Sequence, residues 1–434
     1  MTTKETTPVH LAKNNLGFSR EPLLAPFGFK GGSLDELWLV NSQIEDTIGH
    51  SGYGMAIQSV LWSDPQVFTS FSQCGGNAAM LLVTQKALSL IKEIPFTTPP
   101  RMIESILPAL YAYASALTGI PDLKKTFVLN ALVSVDFALW QLYAQQHQIH
   151  HFDELVQDFS SDLTARHSHL GVIPLVTYGM SLEEVHSLAK DGVFFFKIKL
   201  GQDPGQRHSQ QEMLEADKQR ALDVHLALKD YTTPFTDSGH IMYYFDANGR
   251  YEKKEFMEDL LSFMDVQGIL ARTLILEEPF PEGIDMSVIN LPVRIAADES
   301  AHSPEDVRHL IDDLGYSALA LKPIAKTLSL SLTMLEIAMS RDTPCFCADL
   351  TVTPYLCDWN RNVACRLPPL PGLKTGIMES NGRQNYRNWE ALKAAHPLPD
   401  APWLEPQNGL YLLDETFYRT SGGVLLKPQN AQLS

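Results

Sequence analysis

The sequence predicts an α/β protein built on a (β/α)8 TIM-type barrel with an N-terminal α+β capping domain. Three observations predict it. From about Gly171 short apolar runs alternate with longer amphipathic stretches, the runs number eight, and nearly every run carries charged residues at or next to its end. The runs are IPLVTYG (173–179), VFFFKIKL (193–200), IMYYFDA (241–247), TLILEEP (273–279), VRIAAD (293–298), SALALK (317–322), TPCFCAD (343–349) and LKTGIME (373–379). Helix-like segments separate them, among them SPEDVRHLIDDLG, which opens with Ser303 as N-cap ahead of Pro304 and Glu305. An open doubly wound sheet is the alternative, but its glycine-rich phosphate turn does not follow TYG.

Residues 1–170 lack this rhythm and are expected to form the capping domain, with the barrel over 171–380 and a C-terminal segment, 381–434, packing back on the cap. The cap has a strand-like ELWLVNSQIE, then HSGYGMAIQSVLW, then three long helical patterns. The surplus YTTPFTDSGH (231–240) reads as an inserted loop before the third barrel strand, on the side away from the active site.

The chain of 434 residues has 34 basic and 51 acidic side chains, a net charge of −17. That balance argues against nucleic acid or an anionic membrane as partner, because both need clustered lysine and arginine. No apolar leader and no run of eighteen apolar residues is found, so a cytoplasmic protein is expected. The five cysteines have no histidine partners at zinc-finger spacing, and Cys345 and Cys347 read as buried thiols.

In a barrel the working groups belong at the C-terminal strand ends. Lys197 and Lys199 lie two residues apart on one strand, so both point inward, and burial with mutual repulsion is expected to lower their pKa. A lysine so lowered can act as a general base. Asp246, Glu277 and Asp298 end the next three strands, a hard oxygen set suited to Mg²⁺, although the same acids could simply pair with Lys197, Lys199 and Lys322. Strand alternation turns Glu278 and Glu299 elsewhere, toward supporting roles.

The pattern K-x-K, DANGRY, LEEPF and AADES, followed by a lysine 24 residues beyond Asp298, resembles the enolase superfamily, specifically its muconate lactonising enzyme and mandelate racemase-like members. ALVSVDFALWQLYA resembles the last helix of that family's capping domain. The resemblance implies Asp246, Glu277 and Asp298 as Mg²⁺ ligands, with Lys199 and Lys322 on opposite faces of the substrate. Lys197 would then hold the substrate carboxylate or tune Lys199. Strand eight reads Ile377-Met378-Glu379-Ser380-Asn381, where the family's dipeptide epimerases carry Asp-x-Asp, which puts dipeptide epimerisation in doubt. His50, Tyr53 and Trp62 lie where the family places a flexible loop over the substrate, with packing inside the cap as the alternative. Asp349 is expected to touch substrate, orient Lys322 or cap a helix, and Glu379, Asn381 and Arg383 are further candidates for substrate contact.

The expected activity is Mg²⁺-dependent removal of the proton α to a carboxylate, giving a racemase, epimerase or cycloisomerase. An acid-sugar or hydroxyacid dehydratase is the second reading and a non-catalytic Mg²⁺ scaffold the third. The expected partners are a small carboxylate substrate and further copies of the chain.

Overall fold

A computed structural model of the chain describes residues 8–29, 32–204 and 209–428. The N-terminal part opens with an antiparallel sheet, β1 (Leu11–Phe29), β2 (Gly32–Asp46) and β3 (Ser51–Gln58), in that order. Strand β1 was not expected. It is an edge strand whose register breaks between Pro22 and Phe27, and edge position, proline and an irregular pattern hide it from a periodicity reading. Helices α1 (Val60–Ser63), α2 (Pro65–Glu93), α3 (Pro99–Thr118) and α4 (Lys125–His147) complete the unit.

Helix α4 is its centre. By length and apolarity it could cross a membrane, yet it is buried throughout that span in the protein core. Strand β3 lies directly on it. A Cβ on Gly52 would come within 1.9 Å of the Ala138 carbonyl oxygen, and one on Gly54 within 1.9 Å of that of Ser134. The glycines of HSGYG therefore permit close packing of a strand on a helix, and the flexible loop expected here is instead an ordered strand. Several buried polar groups of α4 bond to neighbouring elements. Asn130 accepts from Ser59 N, Gln141 accepts from Tyr53 N, and Asp136 accepts from Leu328 N and Ser329 N at the start of a barrel helix.

The large sheet runs β4 (His169–Ile173), β5 (Leu175–Val176), β6 (Phe195–Lys199), β7 (Met242–Asp246), β8 (Thr273–Glu277), β9 (Ile295–Ala297), β10 (Ala318–Leu321), β11 (Cys345–Cys347) and β12 (Gly376–Glu379). Its members from β5 to β12 pair in parallel with their chain-order neighbours, from β6 on in unbroken succession. β4 pairs with β12 while β5 pairs with β6. The two are one strand interrupted at Pro174, which lacks a donor for the ladder, and this strand joins the two ends of the sheet into an eight-stranded barrel. It lies four residues earlier than expected, because Thr177, Tyr178 and Gly179 belong to the following loop. The register places Lys199 opposite Asp246 and Asp246 opposite Glu277, so strand ends that differ in sequence position finish level.

Residues 231–240 close the bottom of the barrel. Lys374 N bonds Phe235 O, Asp237 N bonds Gly372 O, and the Phe235 ring packs 5.1 Å from that of Phe194, all before the strands begin. Beyond β12 the chain touches both parts. Strand β13 (Leu410–Leu412) pairs antiparallel with β4, Arg387 N bonds Pro22 O, and Gln141 reaches the Val424 carbonyl.

Candidate active site

The mouth of the barrel gathers acids and lysines from seven strand ends, six of which line one cavity under the cap. Lys197 Nζ sits 3.0 Å from Asp246, 3.1 Å from Glu277 and 3.1 Å from Glu379, with its charge 4.8 Å from the centre of the Tyr244 ring. Lys199 Nζ is 2.6 Å from Asp246 and also bonds Asn248. Across the barrel Lys322 pairs with Asp298, and its Nζ is 5.0 Å from the Trp62 ring centre. Strands β6 and β10 are four apart in an eight-stranded barrel, so Lys199 and Lys322 reach the cavity from opposite walls.

The depression expected for Lys197 is not found. Burial lowers that of Lys197, but Asp246, Glu277 and Glu379 raise it more, and the net shift is strongly upward. Lys322 behaves alike: burial is outweighed by Asp298 and Glu299, and its ammonium is held charged. Opposite charges at about 3 Å outweigh both desolvation and the repulsion between lysines. The acids divide. Burial acts to raise Asp298, yet Lys322, Lys326 and Lys197 bring it well below the usual carboxylate range. Glu277 goes the other way, pushed up to about 8 by burial despite Lys197.

Glu277, Asp298 and Glu299 each present an oxygen such that all three lie within 4.8 Å of one another, the spacing of a cation site. Glu299 was expected to face away. Strand β9 ends at Ala297, so alternation no longer governs residue 299, and its side chain enters the cavity, where Asn248 Nδ2 bonds it at 3.2 Å. Asp246 stands beside this trio, joined to Glu277 through Lys197. Glu278, by contrast, turns into the protein at φ +40° and accepts from Asp298 N, Ser300 N and Ser300 Oγ, which fixes the turn that carries Asp298. The donors are all carboxylate oxygens, and buried carboxylates (Asp246, Glu277, Asp298, Glu299, Asp349, Glu379) outnumber the buried or nearly buried ammonium groups (Lys197, Lys199, Lys322, Lys326). Such a set of hard oxygen donors fits Mg²⁺.

Sequence reasoning missed Lys326. It is fully buried, lies one helical turn beyond Lys322, and donates to the Asp298 carbonyl, to Asp298 Oδ1 at 3.3 Å and to Ala301 O at 3.0 Å. A lysine in KPIAKTLSL reads as a solvated helix residue, and only the fold turns it inward. Also missed were Leu23, Leu34, Leu37 and Ser59 of the cap, which with Leu175 and Leu350 line the cavity.

The weaker candidates separate. Trp62 lines the cavity and its buried Nε1 finds no partner among the described residues. Tyr53 does not reach the site; it is buried in the cap, donates to Asn41 and packs against Tyr355. His50 pairs with Asp46, and Arg383 pairs with Glu405 at 3.0 Å, both away from the cavity lining. Asp349 lines the cavity and caps no helix, since the N-cap of the next one is Thr353. Its Oδ2 accepts from Asn381 N at 2.8 Å and its backbone N–H donates to Glu379. Burial and then Glu379 push the Asp349 carboxyl up to about 7. Asp349 Oδ1 and Asn381 Oδ1 are buried acceptors with no partner among the described residues.

No protein-family model and no curated protein sequence matches the chain. Solved structures do match in fold. A mandelate racemase/muconate lactonizing protein from Herpetosiphon aurantiacus superimposes with a TM-score of 0.63 at 16% identity, over 94% of this chain and 97% of that one. The L-Ala-D/L-Glu epimerase from Bacillus subtilis gives 0.60 at 16% identity, over 87% and 92%. A dipeptide epimerase from Enterococcus faecalis V583, complexed with Mg and the dipeptide L-Leu-L-Tyr, gives 0.60 at 14% identity, over 88% and 92%. At these identities the likeness shows the fold, a capping domain on a TIM-type barrel as in the enolase superfamily.

Proposed function

We propose that the chain is a Mg²⁺-dependent racemase or epimerase acting at the carbon α to a substrate carboxylate. The observation that supports this reading best is the placement of Lys199 and Lys322 on opposite walls of one cavity with buried carboxylates between them. Inversion at carbon needs a base on one face and an acid on the other. Lys322, held charged by Asp298, is in the state that delivers a proton, and Lys199 on the facing wall takes one. In the reverse direction the roles exchange.

Glu277, Asp298 and Glu299, with Asp246 beside them, would hold the cation. When bound, Mg²⁺ supplies a Lewis acid for the substrate carboxylate. The chain's own groups do the rest. Lys197, fixed by three carboxylates, adds positive charge beside the carboxylate of the substrate. Leu23, Leu34, Leu37, Trp62, Leu175 and Leu350 exclude water and favour an apolar substituent, while Asp349 Oδ1 and Asn381 Oδ1 offer acceptors to an N–H. N-acylated or peptide-linked apolar amino acids fit this lining better than acid sugars do.

The test is α-proton exchange in D2O with Mg²⁺, followed by NMR, across N-acyl amino acids, dipeptides and acid sugars. Exchange with inversion supports the reading, and a 2-keto acid product would assign dehydration instead. Exchange without any divalent cation would overturn the metal role.

A further inference from the structure

The α-proton chemistry uses the ends of β6 and β7, and one buried carboxylate outside the cavity lining joins the loops that follow both. Asp217 lies in the helix Gln210–Leu228 and is fully buried. Its Oδ2 accepts from Gly201 N at 2.7 Å and from Tyr251 Oη at 2.7 Å, and its Oδ1 lies 3.4 Å from Gln202 N. Gly201 is two residues beyond Lys199 and Tyr251 is five beyond Asp246. A single side chain therefore ties together the loop after the lysine and the loop after its carboxylate partner.

The two loops have little freedom to settle elsewhere. Gly201 takes φ +86°, and a Cβ there would meet Arg250 Cγ at 2.5 Å, so the loops touch backbone to side chain. Leu200 N donates to Asp246 O, and Tyr251 N donates to Pro279 O in the next loop. Lys199 spans the same gap, bonding Asp246 and Asn248, so the separation of the loops sets where its ammonium sits.

We propose that Asp217 is a positioning residue for Lys199, holding the lysine on Asp246 and Asn248 by pinning the β6 and β7 loops to one point. The inference rests on the reading of Lys199 as the base on its face of the substrate. A displacement near 1 Å at a reacting group costs about a hundredfold in rate, so a pin of this kind acts on catalysis without touching substrate.

The test needs no substrate. The folded protein is labelled with a trace of acetic anhydride at fixed pH, and the modification of Lys199 is read by peptide mass spectrometry against Lys322 and Lys326 as internal references. In Asp217→Asn, labelling of Lys199 is expected to rise about tenfold relative to Lys322, the factor that one lost hydrogen bond to a charged acceptor is worth. Tyr251→Phe removes one hydroxyl only and is expected to shift the ratio in the same direction, which keeps the test available if the first variant folds poorly. An unchanged ratio in folded Tyr251→Phe, or a rise at all three lysines alike, overturns the proposal. With Mg²⁺ and the two enantiomers of N-acetylleucine in D2O, the variants should slow exchange of the enantiomer deprotonated by Lys199 and spare the other. Absence of exchange in the unmodified protein would count against the proposed function while leaving the labelling result standing.

Discussion

Lys326 donates to the same carboxylate, Asp298, that pairs with Lys322, so two buried ammonium groups from one short stretch grip one acid. Lys322 meets Asp298 at the cavity wall, whereas Lys326 donates to it from behind and donates also to the Ala301 carbonyl. Removing one partner of a buried ion pair leaves the other uncompensated, at about 3 kcal/mol or more. Lys326→Met is therefore expected to lower the urea midpoint without Mg²⁺ and to lose less when Mg²⁺ is saturating. An unchanged midpoint would show that Asp298 does not depend on it.

The protonation of Glu277 links stability to pH. Burial raises its folded pKa to about 8, above the value of about 4.3 for an unfolded chain, so its contribution is fully present below pH ~4 and is lost as pH rises through 8. A cation bound by this carboxylate displaces the proton and is bound better at high pH. Calorimetry with and without Mg²⁺ should then show a larger rise in Tm at pH 8.5 than at pH 6. Equal rises at both values would remove Glu277 from the ligand set.

Strand β3 depends on its glycines. A methyl group at Gly54 would meet the Ser134 carbonyl and the Ala138 N of α4 at 1.9 and 2.5 Å, and backbone atoms cannot step aside as a flexible side chain can. Gly54→Ala is expected to cost about 3 kcal/mol by overpacking, read as a lower Tm, whereas Gly49→Ala meets no atom within 4 Å and tests only the cost of its positive φ. A Gly54→Ala protein as stable as the parent would mean that β3 can lift off α4.

What could be read from residues alone follows from how local each signal is. The barrel was legible because each βα unit repeats the same apolar rhythm and ends in a polar group, so Lys197, Lys199, Asp246, Glu277, Asp298 and Lys322 could be placed at one mouth before any coordinates. Strand β1 was not, since an edge strand with Pro22 and exposed residues has no clean period. Glu299 was misjudged because a strand rule was carried two residues beyond the end of β9. Lys326 and the cap leucines escaped because their positions depend on how distant elements pack. The pKa direction expected for Lys197 failed for a related reason: repulsion between Lys197 and Lys199 is visible in K-x-K, but the balance of Lys197 with Asp246, Glu277 and Glu379 exists only after folding.

The central claim is that two lysines serve opposite faces of one carbon. The most direct measurement is α-proton exchange in D2O with Mg²⁺ on separate enantiomers of an N-acyl amino acid, for the parent protein, Lys199→Ala and Lys322→Ala. The account predicts that each variant loses exchange of one enantiomer by about a hundredfold or more and keeps that of the other, with the two losses complementary. Exchange of both enantiomers at the parent rate by either variant would contradict it.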